Sequence, residues 1–324
     1  MLSLFRRNLF INLIFLALLA IVLLAYHLIM PSEVTILATN SIFGDIFNLR
    51  EGSTILKVGL TLVLLLIQAF LVNDIVIKHK LSRALSTIPA AVFLLFCAWV
   101  LSQQVYHPIL IANTFFILSL NSLFKVYKKF QPIINIFNSG FWLALSTCFY
   151  TPYLLFLIVL LLGLLSLRNI NLRETLQMLI GLLTPFFLMG TVFFYFDMMD
   201  SFSPFTRNIV SIPQVSFENP MTLTKPIILL LLIFLSIFFN SEIKKKKKFD
   251  AIKKIELAYW TFLIALLAVF FGDPIHEMHL LMASVPIGIC YGLVLESSSN
   301  KILKEFMFLL AVGGYTLFLL GVVG

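Results

Sequence analysis

The stretch Gly272–Pro286 (GDPIHEMHLLMASVP) decides how the rest of the chain is interpreted. Four ionisable residues stand there directly before a long apolar segment: Asp273, His276, Glu277 and His279. Ionisable groups are costly in hydrocarbon, so they must either face water at a membrane surface or line a polar cavity among helices. The choice depends on which side of a membrane this stretch occupies and on the other polar groups that share that side.

Composition places the chain among integral membrane proteins. Of its 324 residues, 60% are hydrophobic and only 12% are charged, and apolar runs of membrane-spanning length recur. The formal net charge of +8 is therefore not a sign of nucleic-acid binding. Cys97, Cys148 and Cys290 all lie in apolar runs, which argues against a disulfide framework or a metal cluster. We predict an all-α fold, a single polytopic transmembrane helical bundle over residues 1–324.

The apolar runs predict about eleven transmembrane spans. The first run follows Arg6 and Arg7, is long enough to span, and lacks a cleavage pattern behind it, so we predict an uncleaved first span. Residues 133–167 could form two spans with a tight hairpin, or one span and a re-entrant piece. The predicted spans are Leu9–Met30, Ile55–Ile77, Ile88–Ser102, Pro108–Phe124, Ile133–Tyr150, Pro152–Leu167, Leu176–Phe196, Pro226–Phe239, Leu257–Phe271, Met278–Leu295 and Phe306–Val323.

Lysine and arginine set the predicted orientation, since cytoplasmic loops of membrane proteins keep an excess of positive charge. With a cytoplasmic N-terminus, 19 of the 23 Lys and Arg residues fall in inner segments. An odd number of spans then places the C-terminus on the extracytoplasmic side. The lysine-rich segment 240–256 becomes a cytoplasmic loop, and its charge is explained by topology and by attraction to anionic membrane lipids.

Acidic residues do not share this bias, and several of them fall on three predicted outer connections. The first two, 31–54 and 197–225, are the longest outer loops, and the third is Gly272–Glu277. In the first loop, Ser41–Arg50 is amphipathic on helical spacing and carries Asp45 on its polar side. A helix lying on the membrane would hold Asp45 over the mouth of the bundle. The alternative is that Asp45 only keeps the polar face of that helix in contact with water. Arg207 in the second loop is either an anion-binding group or a surface charge.

These features resemble the GT-C superfamily of polytopic glycosyltransferases, which take a sugar from a polyprenyl phosphate at the outer face of the membrane. The resemblance rests on Asp45 in the first loop and on a late stretch that carries His276, Glu277, His279 and Pro286. The chain as a whole also resembles a group of inner-membrane proteins from Bacteroidota. Together the resemblances imply a multi-pass protein of the cell inner membrane that uses a polyprenyl-phosphate-linked sugar.

If the chain is such an enzyme, the predicted placement of these residues on one side of the membrane suggests a role for each. Asp45 would be the catalytic base that accepts the proton of the acceptor hydroxyl. His276, His279 and Arg207 would bind the departing phosphate and stabilise its developing charge. Glu277 would orient one of these groups or contact the acceptor.

Three alternatives stay open from the sequence alone. The zinc-protease spacing H-E-x-x-H is missing near Asp273, so we predict no cofactor or metal, with a divalent cation as the less favoured reading. A non-catalytic subunit or scaffold of an envelope complex could carry the same motif, with His276 and His279 in structural positions. A transporter would use Asp74, but the internal repeats and charged mid-membrane residues expected of one are not evident.

Overall fold

The computed structural model describes residues 9–29, 43, 53–82, 86–101, 104–168, 171–197, 247–269, 277–297 and 305. Across these ranges the regular secondary structure is helical and contains no strand, in agreement with the predicted all-α class. The α-helices are α1 (Leu9–Ile29), α2 (Thr54–Lys78), α3 (Ile88–Val100), α4 (Ile109–Phe124), α5 (Ile133–Phe149), α6 (Leu157–Leu167), α7 (Leu172–Tyr195), α8 (Phe249–Val269) and α9 (Ser284–Ser297). Short 3₁₀-helices, Thr151–Phe156 and Glu277–Ala283, lead into α6 and α9.

Three helical segments are long and apolar enough to cross a membrane: α2, α7 and the continuous segment Met278–Ser297. The apolar helices α3, α4 and α5, and the stretch Thr151–Leu167 that contains α6, have only 10–17 residues each. The described part of the chain therefore has membrane character. The predicted spans 226–239 and 306–323, nearly all of the long outer loops, and residues 240–246 of segment 240–256 lie outside the described residues, so the count of eleven spans stays a prediction.

The helix α8 begins at Phe249, well before the predicted span start at Leu257. Its first turns carry charged residues, so a prediction based on apolar runs leaves them out of the span. Their side chains are held by neighbouring helix ends, because Lys253 Nζ donates to the Ser166 carbonyl over 2.8 Å and Lys254 Nζ lies 3.0 Å from His79 Nδ1. Tertiary contacts thus extend the helix beyond its hydrophobic part.

Helices α5 and α6 form an antiparallel hairpin. Tyr150 adopts an extended backbone with φ −153° and ψ 108°, which ends α5, and Pro152 starts the 3₁₀-helix that follows. At the far end, Arg168 Nη1 donates to the Lys129 carbonyl over 2.6 Å, so the end of α6 lies beside the start of α5. Whether residues 133–167 cross a membrane as two spans, or as one span and a re-entrant piece, stays a prediction.

Glycines set the closest helix packing. Gly288 and Gly292 of α9 face α3, where a Cβ on Gly292 would lie 2.6 Å from the Pro89 Cα. Gly140 of α5 and Gly181 of α7 face each other's helix backbone in the same way. Small residues that let two backbones approach are a common device of membrane helix pairs. They allow α9 to be buried along its length against α3.

Apart from Lys57 near the start of α2, the described basic side chains gather at one end of the bundle, which we call the basic end. Ion pairs and hydrogen bonds join the end of α2, the turn after α4, the end of α6 and the start of α8 there: Lys254 with His79, Lys128 with Asp250, Arg168 with Glu174, and Lys253 with Ser166. These are segments that the charge pattern predicts on a single side. Which membrane face the basic end occupies stays a prediction.

Candidate functional site

His279 lies inside the bundle at the end opposite the basic end. It belongs to the 3₁₀-helix before α9, only 4% of its surface is exposed, and its ring centroid is 5.6 Å from that of Tyr150. The sequence allowed either a water-facing position or an interior one for this group. The structure gives the interior position.

Tyr150 is the centre of a cluster of rings that also contains His107, Tyr153 and His279. We call the end of the bundle that holds this cluster the histidine end. The helix break after α5 turns the buried Tyr150 ring toward three neighbours. The His107 ring is edge-on at 6.1 Å, the Tyr153 ring at 6.3 Å, and the His279 ring tilted at 5.6 Å. His107 Nδ1 also accepts the backbone N–H of Ile109 over 3.2 Å, which ties the imidazole to the start of α4. Three separate connections between helices therefore meet at one ring.

A buried hydrogen-bond network continues from this cluster into the bundle. The Tyr153 hydroxyl donates to Asn113 Oδ1 over 3.2 Å, and Asn113 Nδ2 donates to Ser284 Oγ over 2.9 Å. Ser284 Oγ in turn donates to the Leu281 carbonyl over 2.6 Å. Because such groups are costly when buried without partners, the network fixes how α4, the hairpin and the start of α9 fit together.

The α3–α4 loop contributes two polar groups that the sequence reasoning missed, on Gln104 and Tyr106. Both side chains are buried, and Gln104 Nε2 donates to the Tyr106 carbonyl over 3.0 Å. The Gln104 Oε1 and the Tyr106 hydroxyl have no hydrogen-bond partner among the described residues. Burial raises the pKa of Tyr106 to about 12, so the hydroxyl keeps its proton. Native structures rarely leave such groups unpaired, so water or a polar ligand is expected to meet them.

The first predicted outer loop reaches the same end of the bundle. The backbone N–H of Phe43 donates to the Cys148 carbonyl over 3.0 Å, and the Phe43 and Phe149 ring centroids are 5.3 Å apart. Cys148 and Phe149 immediately precede Tyr150. Residue 43 of the first loop and His279 of the last stretch therefore both contact the end of the α5–α6 hairpin.

The predicted site residues differ in how much of them the structure describes. His279 joins the cluster, whereas Glu277 is described only as a position in the 3₁₀-helix. Asp45, Arg207 and His276 lie outside the described residues. Their roles, and the alternative metal group that includes His276, stay predictions.

Within the described ranges, no group of three or more His, Cys, Asp or Glu side chains is arranged to hold a metal ion. Cys97, Cys148 and Cys290 are free thiols buried in the bundle. No protein-family model, curated protein or solved structure matches the chain. What the site can do must therefore be inferred from its own geometry.

Proposed function

We propose that the protein is a multi-pass enzyme of the cell inner membrane that transfers a sugar from a polyprenyl-phosphate donor, with the reaction at the histidine end on the extracytoplasmic side. One observation carries the proposal. Phe43 of the first loop and His279 of the last stretch contact neighbouring residues of the same hairpin end. The two segments that hold the candidate acid and imidazoles therefore approach one another.

Chain connectivity limits how far the candidate residues can be from this point. Two residues of backbone reach at most about 7 Å, so Asp45 stays close to Phe43. Three residues reach at most about 11 Å, which bounds the distance from His279 to His276. These limits are compatible with Asp45, His276 and His279 contacting one substrate.

The proposed reaction is a substitution at the anomeric carbon. The acceptor oxygen forms a bond to that carbon while the bond from the carbon to the phosphate oxygen breaks, and the phosphate leaves with the electron pair. Asp45 accepts the proton of the acceptor hydroxyl. His276, His279 and Arg207 stabilise the phosphate, and Glu277 orients them or contacts the acceptor.

Two further features of the described residues fit a donor of this kind. The unpaired Gln104 Oε1 and Tyr106 hydroxyl supply an acceptor and a donor for the hydroxyl groups of a sugar. The apolar faces of α1 and α2 are exposed, with Val22 at 69% and Phe70 at 55%, and suit a polyprenyl chain or other lipid. A lipid-linked sugar needs both kinds of surface.

The test is a transferase assay on the purified full chain in lipid nanodiscs with polyprenyl-phosphate-linked sugars. Asp45→Asn is expected to lower the rate at least 100-fold, since general-base catalysis contributes about 10²–10⁴. Asp74→Asn is the matched control, because Asp74 pairs with Lys78 over 2.7 Å at the basic end and should leave the rate unchanged. Full activity of Asp45→Asn would refute the assigned base.

A non-catalytic membrane subunit is the second candidate, and one surface favours it. Among the described residues α7 packs mainly on α5, and its other side exposes a row of apolar side chains: Ile180, Leu183, Phe187, Val192 and Phe194. If this row binds another protein, Phe187→Ser should release that protein from a complex isolated from membranes, whereas Asp45→Asn should not. The enzyme hypothesis predicts the opposite pattern for turnover.

A further inference from the structure

We propose that the turn after α4, residues Lys125–Phe130, is a binding site for the phosphate headgroup of an anionic phospholipid. This inference does not depend on the proposed transferase activity. It concerns the basic end, whereas the candidate active site is at the opposite end of the bundle.

The turn presents cations that have no acidic partner. Lys125, Lys128 and Lys129 are all exposed. Lys128 Nζ is paired with Asp250 over 2.9 Å, but neither Lys125 nor Lys129 has an ion pair among the described residues. Glu174, the next acid along this end, is already engaged by Arg168 over 3.1 Å. Two positive side chains are thus left available to an anion.

The backbone of the turn is fixed, although these side chains are exposed. Val126 is completely buried, and its N–H donates to the Leu123 carbonyl over 3.1 Å. The Lys129 carbonyl accepts the Arg168 guanidinium over 2.6 Å, and the Lys129 N–H donates to the Val126 carbonyl over 3.2 Å. A rigid backbone fixes where the lysine side chains start, which lowers the part of the entropy loss on binding that comes from ordering the turn.

The surroundings keep the potential of this surface positive. Lys253 Nζ lies 5.8 Å from the centre of the Tyr127 ring, and Lys254 Nζ lies the same distance from it. Lys128 adopts a left-handed backbone with φ 55°, a conformation that glycine or asparagine adopts more easily. The described acid that faces these groups is Asp250, which Lys128 already neutralises.

Phe130 indicates that the anion is a lipid headgroup. It follows Lys129 directly and is 92% exposed, which is unusual for an aromatic ring in contact with water alone. Aromatic rings beside basic residues are typical of the membrane–water interface. A phospholipid can contact Phe130 with its acyl region and the two lysines with its phosphate, whereas free phosphate can use only the lysines.

Native mass spectrometry of the full chain in detergent, titrated with phosphatidylglycerol or phosphatidylcholine, tests the site. Each basic residue near an anionic surface contributes about a fivefold change in affinity, so Lys125→Gln with Lys129→Gln should weaken phosphatidylglycerol binding roughly 25-fold. Binding of phosphatidylcholine should not change. Lys125→Arg with Lys129→Arg should retain binding, and Lys57→Gln, which removes a cation from the opposite end of α2, should leave it unchanged.

Three outcomes would overturn the proposal. The double glutamine variant could bind phosphatidylglycerol as the parent does. It could lose both lipids equally, which would mean general damage and not a lost headgroup site. Inorganic phosphate could compete with equal affinity in the parent and in Phe130→Ser, which would assign the lysines to a free phosphate.

Discussion

The close contact between α3 and α9 makes Gly292→Ala a direct test of the fold. A Cβ at this position would lie 2.6 Å from the Cα and 3.0 Å from the Cβ of Pro89, where ordinary contacts begin at 3.4 Å. Backbone atoms cannot rotate away as a flexible side chain can. The two helices must therefore separate by roughly 0.8 Å, the difference between these distances.

A separation of this size weakens every contact along the interface. A gap of about 0.5–1 Å forfeits roughly a quarter to a half of each van der Waals attraction. All residues of α3 and residues Ser284–Leu295 of α9 are buried, so few of the lost contacts can be replaced by lipid. We expect Gly292→Ala to reduce the free energy of unfolding by about 2–3 kcal/mol, at the upper part of the range for overpacked cores.

Two other glycines provide matched controls for this substitution. A Cβ at Gly163 would also lie 2.6 Å from its nearest neighbour, but that neighbour is the Cδ2 of Leu123, which can move to another rotamer. Gly163→Ala should therefore cost less than about 1 kcal/mol. A Cβ at Gly190 meets nothing within 4 Å, so Gly190→Ala should be neutral, or stabilising by up to about 1 kcal/mol through helix propensity.

The assay is the temperature at which half of the detergent-solubilised protein leaves the monodisperse peak on size-exclusion chromatography. The three variants should rank in the order Gly190→Ala, Gly163→Ala, Gly292→Ala from most to least stable. If Gly292→Ala were as stable as Gly190→Ala, α3 and α9 would not pack through this glycine. If Gly163→Ala were as unstable as Gly292→Ala, the distinction between backbone and side-chain neighbours would be wrong.

Other regions of the bundle give further predictions. Burial, together with the nearby Lys254 ammonium, lowers the pKa of His79 to about 4. The His79 imidazole takes up a proton at a higher pH in the unfolded chain than in the folded protein. The free energy of unfolding should therefore fall as the pH drops from about 6.5 towards 4, by up to about 2 kcal/mol at pH 5. His79→Gln should remove this dependence, measured by urea unfolding at pH 7 and pH 5. Asn113→Leu leaves the Tyr153 hydroxyl without its acceptor and removes the N–H donor to Ser284 Oγ, which keeps its bond to the Leu281 carbonyl, so it should cost about 1–3 kcal/mol. Asn135→Leu should be nearly neutral, because the Asn135 Nδ2 has no partner among the described residues to lose. The three native thiols are buried and should not react with a membrane-impermeant maleimide. With the predicted orientation, the reagent should label Ser53→Cys in intact cells but Lys129→Cys only in permeabilised cells. The reverse pattern would mean that the orientation is inverted.

The sequence predicted the helices better than the contacts between them. Long apolar runs require regular hydrogen bonding, so α2, α4 and the α5–α6 hairpin begin and end near their predicted limits. Because successive spans run in opposite directions, the positions of the basic segments along the chain also predicted that they would gather at one end of the bundle. α8 begins at Phe249, before the predicted span start at Leu257, and this first part is polar because it carries Lys253 and Lys254, whose contacts with Ser166 and His79 support the helix there.

The candidate site was harder to predict, because its parts are far apart in the sequence. The motif around His279 identified one member, but nothing in the sequence indicated that Tyr150 would contact His107 and His279 together. Gln104 and Tyr106 stand in a short polar loop whose burial depends on packing between helices. The spacing of Gly288 and Gly292, in contrast, is a local signal of close helix packing that could have been used.

The complete burial of Met278–Leu295 also has a consequence for how the cell makes this protein. The ribosome synthesises α3 long before α9, so the surface around Pro89 and Phe93 enters the membrane without the helix that will later cover it. Lipid or an insertion chaperone must occupy that groove until the last third of the chain arrives. A nonsense mutation before residue 277 would leave the groove permanently open, and the truncated product should be a preferred substrate for membrane proteases.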